Sequence, residues 1–504
     1  MDILPQDICG KKGMCIINRV RPVLVLICLV FLSARAEAGS KIKYYFNRAV
    51  DTSVSSGVNA IYLNNCIADT LTAYLNRAKY SLDICMYDFE KTYSYNINIA
   101  DTVFAPEVAA AINNAHARGV KVRYIYEASN ANTGISLLDT PAIPVLGSPQ
   151  GPNYTIMHNK FVVIDAASPN PADPIVWTGC LNWYYEQFNW DYNNVVIFQD
   201  SALAYAYTAE FNMMWGDTGT APNLTNSKFG QYKTDLGLHD FTIEGNHIEL
   251  YFSPSDGTDA HIQSTIESAN TDLYFGEYTF TEHNDANDIV NKFDSGVYVS
   301  GIDDSWSNGE YPTDQFNAHL GAHFKVYTES ADTLYHNKFL IVDPSDTCSD
   351  PAVLTGSHNW SVSANEENDE NTVIIHNDTA ANLFLQYFKA TFNMLGGSLT
   401  PPLGNCSPAN DGVQVQLNAT PKLTIFPNPS TGRVSITYRL IHAENVTIDI
   451  FNVLGQQLAS PVNNAQQPSG NHECSYTFNA PGLYVVKMST GSSNLTQKVL
   501  IAGE

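Results

Sequence analysis

The chain has 504 residues, 44 % of them apolar, and 51 acidic against 26 basic side chains give a net charge of −25. This length allows two to four domains, each with its own core. A balance this acidic repels a phosphate backbone at long range and argues against tight, sequence-independent binding of nucleic acid.

The first predicted element is a leader. Lys11, Lys12, Arg19 and Arg21 precede an apolar run from Val23 to Leu32, and Ala36-Glu37-Ala38 supplies a small-x-small cleavage pattern. Ten apolar residues are too few for a permanent membrane anchor, so residues 1–38 are expected to be a secretory signal peptide. Its removal takes away five basic and three acidic residues and leaves a net charge of −27. No later apolar run is long enough to span a bilayer, so the mature chain is expected to be exported and to lack a transmembrane segment. Cys9, Cys15 and Cys28 belong to the leader. Cys66, Cys85, Cys180, Cys348, Cys406 and Cys474 are scattered without C-x-x-C spacing, so no disulfide framework is legible, and buried thiols with room for one bridge are expected.

After the leader the chain repeats itself. "IKYYFN" from Ile42 and "IELYFS" from Ile248 read as similar strands, and each precedes an amphipathic helix that turns into a buried strand. Tyr87-x-Phe89 in the first copy is echoed by Tyr278-x-Phe280 in the second. A further helix and strand follow in both, with Gly119 and Gly296 in matching turns. The expected organisation is an α/β fold: two similar halves at 39–235 and 236–400, each a mixed sheet flanked by helices, related by a pseudo-two-fold axis. A Pro/Gly/Asn-rich linker at 401–418 leads to alternating strands at 419–504, the pattern of a β-sandwich.

Each half carries the same chemical phrase. His158-Asn-Lys160 and His336-Asn-Lys338 lie 178 residues apart, followed by Asp165 and Asp343 at identical spacing. Each is followed in turn by a T-G-x-x-N-W segment containing Gly179 and Asn182, or Gly356 and Asn359. On a strand, alternation puts His158 with Lys160, and His336 with Lys338, on one face. Phe161, Val163, Phe339 and Ile341 then fill the other face. Two halves meeting on a two-fold axis would pool two imidazoles, two ammonium groups and two carboxamides. That set suits an anionic phosphodiester: lysines and amides neutralise the non-bridging oxygens while one histidine attacks phosphorus and the other protonates the leaving oxygen. This chemistry calls for no metal and no cofactor.

The duplicated H-x-K-x-x-x-x-D segments, each with G-x-x-N downstream, resemble the HKD motifs of the phospholipase D superfamily. The resemblance implies His158 as nucleophile and His336 as general acid, with Lys160, Lys338, Asn182, Asn359, Ser357 and the motif glycines 179 and 356 around the phosphate. It also implies Asp165 and Asp343 as orienting groups of their own motifs. The first half departs from the pattern in having Cys180 where the second has Ser357, which puts Ser-like support of the first histidine in doubt. Downstream, "NDENTVII" includes Glu370, whereas "NWDYNNVVI" offers Asp191 and Tyr192, so the halves should differ in role. The tail, with "FPNPSTGRVSI" and "GLYVVKM", resembles the C-terminal sorting domain of the type IX secretion route, which implies that machinery as a partner.

These readings lead to a secreted phospholipase D acting on phospholipid head groups, with a secreted nuclease of the same superfamily and a non-catalytic binding protein as alternatives. A phospholipid or other phosphodiester is the expected substrate, nucleic acid the less favoured one, and a monomer the expected state. His358 is expected to line the pocket, and Trp183 and Trp360 to wedge the core. His261 and His283 have no partners at ligand spacing, which argues against zinc.

Overall fold

The computed structural model describes residues 40–92, 100–328 and 333–402, and most of 422–501. The expected leader and nearly all of the expected linker lie outside them. The chain divides into two compact units, one reaching Cys406 and one beginning at Ser407.

Both repeats lie in the first unit. The first repeat is an eight-stranded sheet of β1 (Ile42–Phe46), β2 (Ile61–Tyr62), β3 (Ser81–Met86), β4 (Lys121–Tyr126), β5 (Val145–Gly147), β6 (Lys160–Ile164), β7 (Ile175–Gly179) and β8 (Asn194–Phe198), in the order 2-1-8-7-6-3-4-5. The second repeat contributes β9 (Asp240–Ile243), β10 (Asn246–Ser253), β11 (Asp272–Glu277), β12 (Tyr298–Asp304), β13 (Phe324–Tyr327), β14 (Lys338–Val342), β15 (Ala352–Gly356) and β16 (Glu370–His376). Its order, 9-10-16-15-14-11-12-13, repeats the first arrangement except at one edge, where β9 precedes β10 and pairs antiparallel while β2 follows β1 and pairs parallel. In both, parallel pairs sit beside antiparallel hairpins, and the HKD strands β6 and β14 are central.

Those central strands are apolar on both faces because both are covered. Val162 and Ile164 pack outward under α1 (Ile67–Leu75) and α2 (Phe104–Ala117). Phe161 and Val163 join Phe339 and Ile341 in one core that spans the two repeats. Between the sheets lie α3 (Ser201–Trp215), capped by Asp200, and α4 (Asp378–Met394), capped by Asn377. Phe46 of the first repeat stacks on Tyr387 of α4 at 4.5 Å and meets Phe384 edge-on at 5.0 Å. Tyr207 of α3 meets Phe252 of the second repeat at 5.2 Å. Each such buried ring contributes roughly 1.5–3 kcal/mol, so neither half buries its inner sheet face alone.

The second unit is all-β. Lys422–Phe426, Arg433–Leu440 and Gly470–Thr477 form one antiparallel sheet, and Glu444–Asn452, Gln457–Gln467, Gly482–Ser489 and Asn494–Ile501 the other. Alternating residues Val446, Ile448, Ile450, Val486 and Met488 fill its core with Ile436 and Val499. Cys66 and Cys348 are each disulfide-bonded, while Cys85 and Cys180 are buried free thiols. No described helix is long and apolar enough to cross a membrane.

Candidate active site

The two HKD strands deliver their histidines to one seam. His158 and Lys160 of the first repeat and His336 and Lys338 of the second are all buried, and charges on both lysines and on His158 act on the His336 ring. Each half builds the same cage. Lys160 Nζ donates to the His158 carbonyl at 2.7 Å and lies 4.7 Å over the Tyr87 ring, which meets the His158 ring edge-on at 4.5 Å. Lys338 Nζ donates to the His336 carbonyl at 3.1 Å and lies 5.0 Å over Tyr278, whose ring is 4.8 Å from that of His336. The echoed tyrosines therefore orient both catalytic-looking groups of their own half.

The orienting contacts on the histidines themselves cross the seam, and here the halves part. His158 Nδ1 sits 2.8 Å from both carboxylate oxygens of Glu370, in the second repeat. His336 Nδ1 sits 3.1 Å from Asn193 Oδ1, in the first. Glu370 and Asn193 are equivalent, each thirteen residues after Ser357 or Cys180. Ser357 donates to Glu370 Oε2 at 2.6 Å, and the Cys180 thiol approaches Asn193 Oδ1 at 3.4 Å. The Ser/Cys difference thus bears on the opposite half's histidine: Cys180 stands behind His336, and His158 keeps its serine.

Electrostatics sharpen the contrast. Burial pushes His158 down to about 4, with Lys160 and Lys338 adding to the effect against the pull of Glu370. Burial and both lysines hold His336 well below the ordinary imidazole range. Burial brings Lys160 down to about 7 despite Glu370. Burial alone would raise Glu370, but His158 and Lys160 outweigh it and hold the carboxylate at about 2. The pocket therefore presents neutral imidazoles, one backed by an ionised carboxylate through Nδ1–H, which leaves its Nε2 lone pair more basic.

Sequence reasoning left the asparagine of H-N-K without a role, and the structure supplies one. Asn371 accepts from Thr178 at 2.6 Å and from Tyr207 at 3.2 Å, and donates to Asn159 at 3.0 Å. Asn194 accepts from Thr355 at 2.9 Å and donates to Asn337 at 3.2 Å. Both networks bridge the repeats. A buried ion triad was also illegible: Lys233 Nζ lies 2.6 Å from Glu210 and 3.0 Å from Asp369, whose carbonyl accepts from the His158 N–H at 2.9 Å.

Other predicted site residues fall into two groups. Asn182 and Asn359 follow the motif glycines, and the side-chain oxygen of each is buried with no partner among the described residues. His358 is buried beside Glu370 with both ring nitrogens unpartnered among those residues. By contrast, Asp165 and Asp343 stand at the far ends of β6 and β14, about 20 Å along the strand from the histidines. Asp165 accepts from the backbone of Lys79, Tyr80 and Ser81, and Asp343 from that of Asn270, Thr271 and Asp272. They fasten the helix-to-strand turn to the HKD strand, so they order their own motifs from a distance. The glycines are also structural: a Cβ on Gly179 (φ 144°) would lie 2.4 Å from Asn194 O, and on Gly356 (φ 156°) 2.1 Å from Asn371 O. Only glycine lets these strand ends close on their neighbours. Trp183 and Trp360 are fully buried against Phe89 and Phe280, as core wedges.

Residues 71–215 and 262–392 match the family described as "Cardiolipin synthase, PLD-like domain". The chain belongs to the phospholipase D-like family. Residues 424–502 match the "Secretion system C-terminal sorting domain", which marks this phospholipase D-like chain for type IX export to the cell surface or beyond. Among curated proteins, the mitochondrial cardiolipin hydrolase of Xenopus tropicalis is 30 % identical over 149 residues, covering 29 % of this chain and 59 % of that protein. The human mitochondrial cardiolipin hydrolase is 30 % identical over 142 residues, 27 % of this chain and 46 % of its own length. A phospholipase D of Rickettsia prowazekii is 26 % identical over 166 residues, 32 % of this chain and 78 % of its own length. The chain therefore spans about half the length of the first relatives it matches. Among solved structures, the phospholipase D family member Nuc from Salmonella typhimurium is 27 % identical, with a TM-score of 0.26 over 29 % of this chain and 95 % of that one. The phosphatidylserine synthase of Haemophilus influenzae is 12 % identical, with a TM-score of 0.46 over 70 % and 86 %.

Proposed function

We propose that this chain is an exported phosphodiesterase that hydrolyses phospholipid head groups to phosphatidic acid through a covalent phosphohistidine on His158. The observation that carries the reading is the pairing of two buried imidazoles across one seam, with His158 alone backed by a carboxylate. Glu370 holds the Nδ1 proton and favours charge on the ring, so Nε2 of His158 attacks phosphorus. His336, backed by the neutral Asn193, delivers its proton to the departing head-group oxygen. Burial and both lysines depress the His336 pKa. A bound diester brings a negative charge that offsets them and restores the proton needed for this step. The same histidine then takes a proton from water, which attacks phosphorus and frees His158. Lys160 and Lys338 neutralise the non-bridging oxygens, and the Nδ2 groups of Asn182 and Asn359 donate to them.

Lipid is favoured over nucleic acid by the acidic chain and by the names of the cardiolipin hydrolase and phospholipase D relatives. Trp306, 71 % exposed, stacks on Tyr278 and extends the aromatic wall of the His336 cage outward, as an interfacial anchor would. The same ring would stack a nucleobase, which keeps the nuclease reading as the second one. Activity on phosphatidylcholine, cardiolipin and single-stranded DNA vesicle or solution substrates tests the choice. Release of head group with formation of phosphatidic acid is expected, along with phosphatidylethanol when ethanol is added. Cleavage of DNA with intact lipid would overturn the lipid reading, and absence of the ethyl ester would overturn the covalent intermediate.

A further inference from the structure

A second cluster of ligating side chains stands at the opposite end of β16 from Glu370. His247 and Glu249 alternate on β10 and so share a face, and His376 on β16 is the cross-strand partner of His247. Asp240 on the edge strand β9 faces Glu249. This is the outer face of the sheet, because the intervening Ile248 and Leu250 point into the shared core. Glu249 Oε1 is 2.9 Å from His376 Nε2 and 3.9 Å from His247 Nδ1, and the three ligand atoms lie within 4.8 Å of one another. Side-chain exposures of 32, 20 and 19 % for His247, Glu249 and His376 leave an approach from solvent.

The far nitrogens are already engaged. His247 Nε2 faces Asp240 Oδ1 at 2.8 Å, and His376 Nδ1 faces Asp350 Oδ2 at 3.0 Å. Tyr251 donates to the other oxygen of Glu249. The His247 and His376 rings stack at 4.7 Å, each with its outer nitrogen held by a carboxylate, and their inner nitrogens both lie beside Glu249 Oε1. Carboxylates on the outer nitrogens are what orients histidine ligands on a metal. Tetrahedral zinc with bonds of about 2.0–2.2 Å sets neighbouring ligand atoms roughly 3.3–3.5 Å apart. The two distances on Glu249 Oε1 bracket that value.

The duplication provides an internal control. The first repeat places Lys41, Lys43 and Gln199 at the positions of His247, Glu249 and His376, as the matching strand registers show. The fold therefore holds this corner without ligating residues. The nearby trio Asp235, His239 and Asp256 is a weaker set, because its one imidazole spends Nδ1 on the Leu250 carbonyl.

We propose that His247 Nδ1, His376 Nε2 and Glu249 Oε1 form a divalent transition-metal site, suited to Zn²⁺ with water in the fourth position, that clips β10 to β16. On binding, the metal takes the place of any proton on the two ligating nitrogens and releases it to solvent. This site is separate from the phosphodiester pocket and does not rest on the function proposed above.

The test uses the untagged mature chain, stripped with chelator and dialysed, and titrated with ZnCl₂ or MgCl₂ while bound metal and melting temperature are measured. One Zn²⁺ per chain and a rise in melting temperature are expected, with no response to Mg²⁺. Co²⁺ in place of Zn²⁺ is expected to give the visible absorption of a tetrahedral N,O site. His247→Gln and His376→Gln should each weaken Zn²⁺ binding at least tenfold, whereas His158→Ala should retain it. Should the His376 variant fail to fold, the His247 variant carries the comparison. Zn²⁺ binding that is lost in His158→Ala but unchanged in His247→Gln, or no stoichiometric binding at all, overturns the proposal.

Discussion

The two repeats share strand order, HKD motif, lysine–tyrosine cage and asparagine network, yet they differ at the one residue that backs each histidine. The second repeat lends Glu370 to His158, and the first lends Asn193 to His336. A carboxylate behind Nδ1 stabilises an imidazolium and raises nucleophilicity at Nε2, while a carboxamide only aims the ring. In the proposed mechanism, near-identical scaffolds divide the labour of attack and protonation by one side chain.

The largest expected effect separates the histidines themselves. His158→Ala should lower kcat on any diester by roughly four to six orders of magnitude, as for other nucleophile deletions. His336→Ala should cost about 10²–10⁴ on a lipid head group, but much less on a bis-aryl phosphodiester whose leaving group needs no proton. Equal losses on both substrates would erase the division of roles. Next in size, Glu370→Gln should cost roughly 10²–10⁴ in kcat with the chain still folded, comparable to losing the carboxylate of other imidazole pairs. Asn193→Ala should cost at least tenfold less, and a reversal of that order would exchange the two assignments.

A pH profile of kcat/KM reports the same pocket. Protonating His158, held at about 4, removes the attacking lone pair, so activity should fall as pH drops toward that value. Deprotonating Lys160, held at about 7, removes a phosphate donor, so activity should fall as pH rises through it. The apparent values belong to the coupled cluster, and Lys160→Arg should move the alkaline limb upward. Asn371→Ala, which orphans its cross-seam partners, should destabilise the first unit by about 1–3 kcal/mol in denaturant melts. Cys180→Ser is the smallest change expected, within about threefold in kcat, because a hydroxyl there replaces a weak thiol contact to Asn193.

Much of this was legible in the sequence because the chain states its design twice. Matching strands, the H-x-K spacing and the downstream glycine and asparagine could be aligned within one chain, which led to duplicated α/β halves and one shared pocket. The tail was readable from alternation and turn residues. What stayed hidden depends on which half touches which. Nothing local says that Ser357 serves His158 through Glu370, or that Asn193, rather than Asp191 or Tyr192, meets His336. Asp165 and Asp343 show the limit of spacing as a signal: identical spacing marks a shared fold requirement as readily as shared chemistry, and each of them holds a turn. The His247, Glu249 and His376 cluster joins residues up to 129 positions apart in the chain and becomes visible only when β10 and β16 are paired.

The crossed ownership of the histidine partners has an outcome for how such a site can diversify. In a dimer of identical subunits, any change in the partner residue would strike both imidazoles at once, and a carboxylate could be removed from one only by removing it from the other. Covalent linkage breaks that obligation. A single polypeptide can keep acid on one side and amide on the other, and its two copies can drift apart without the assembly ever losing its mate.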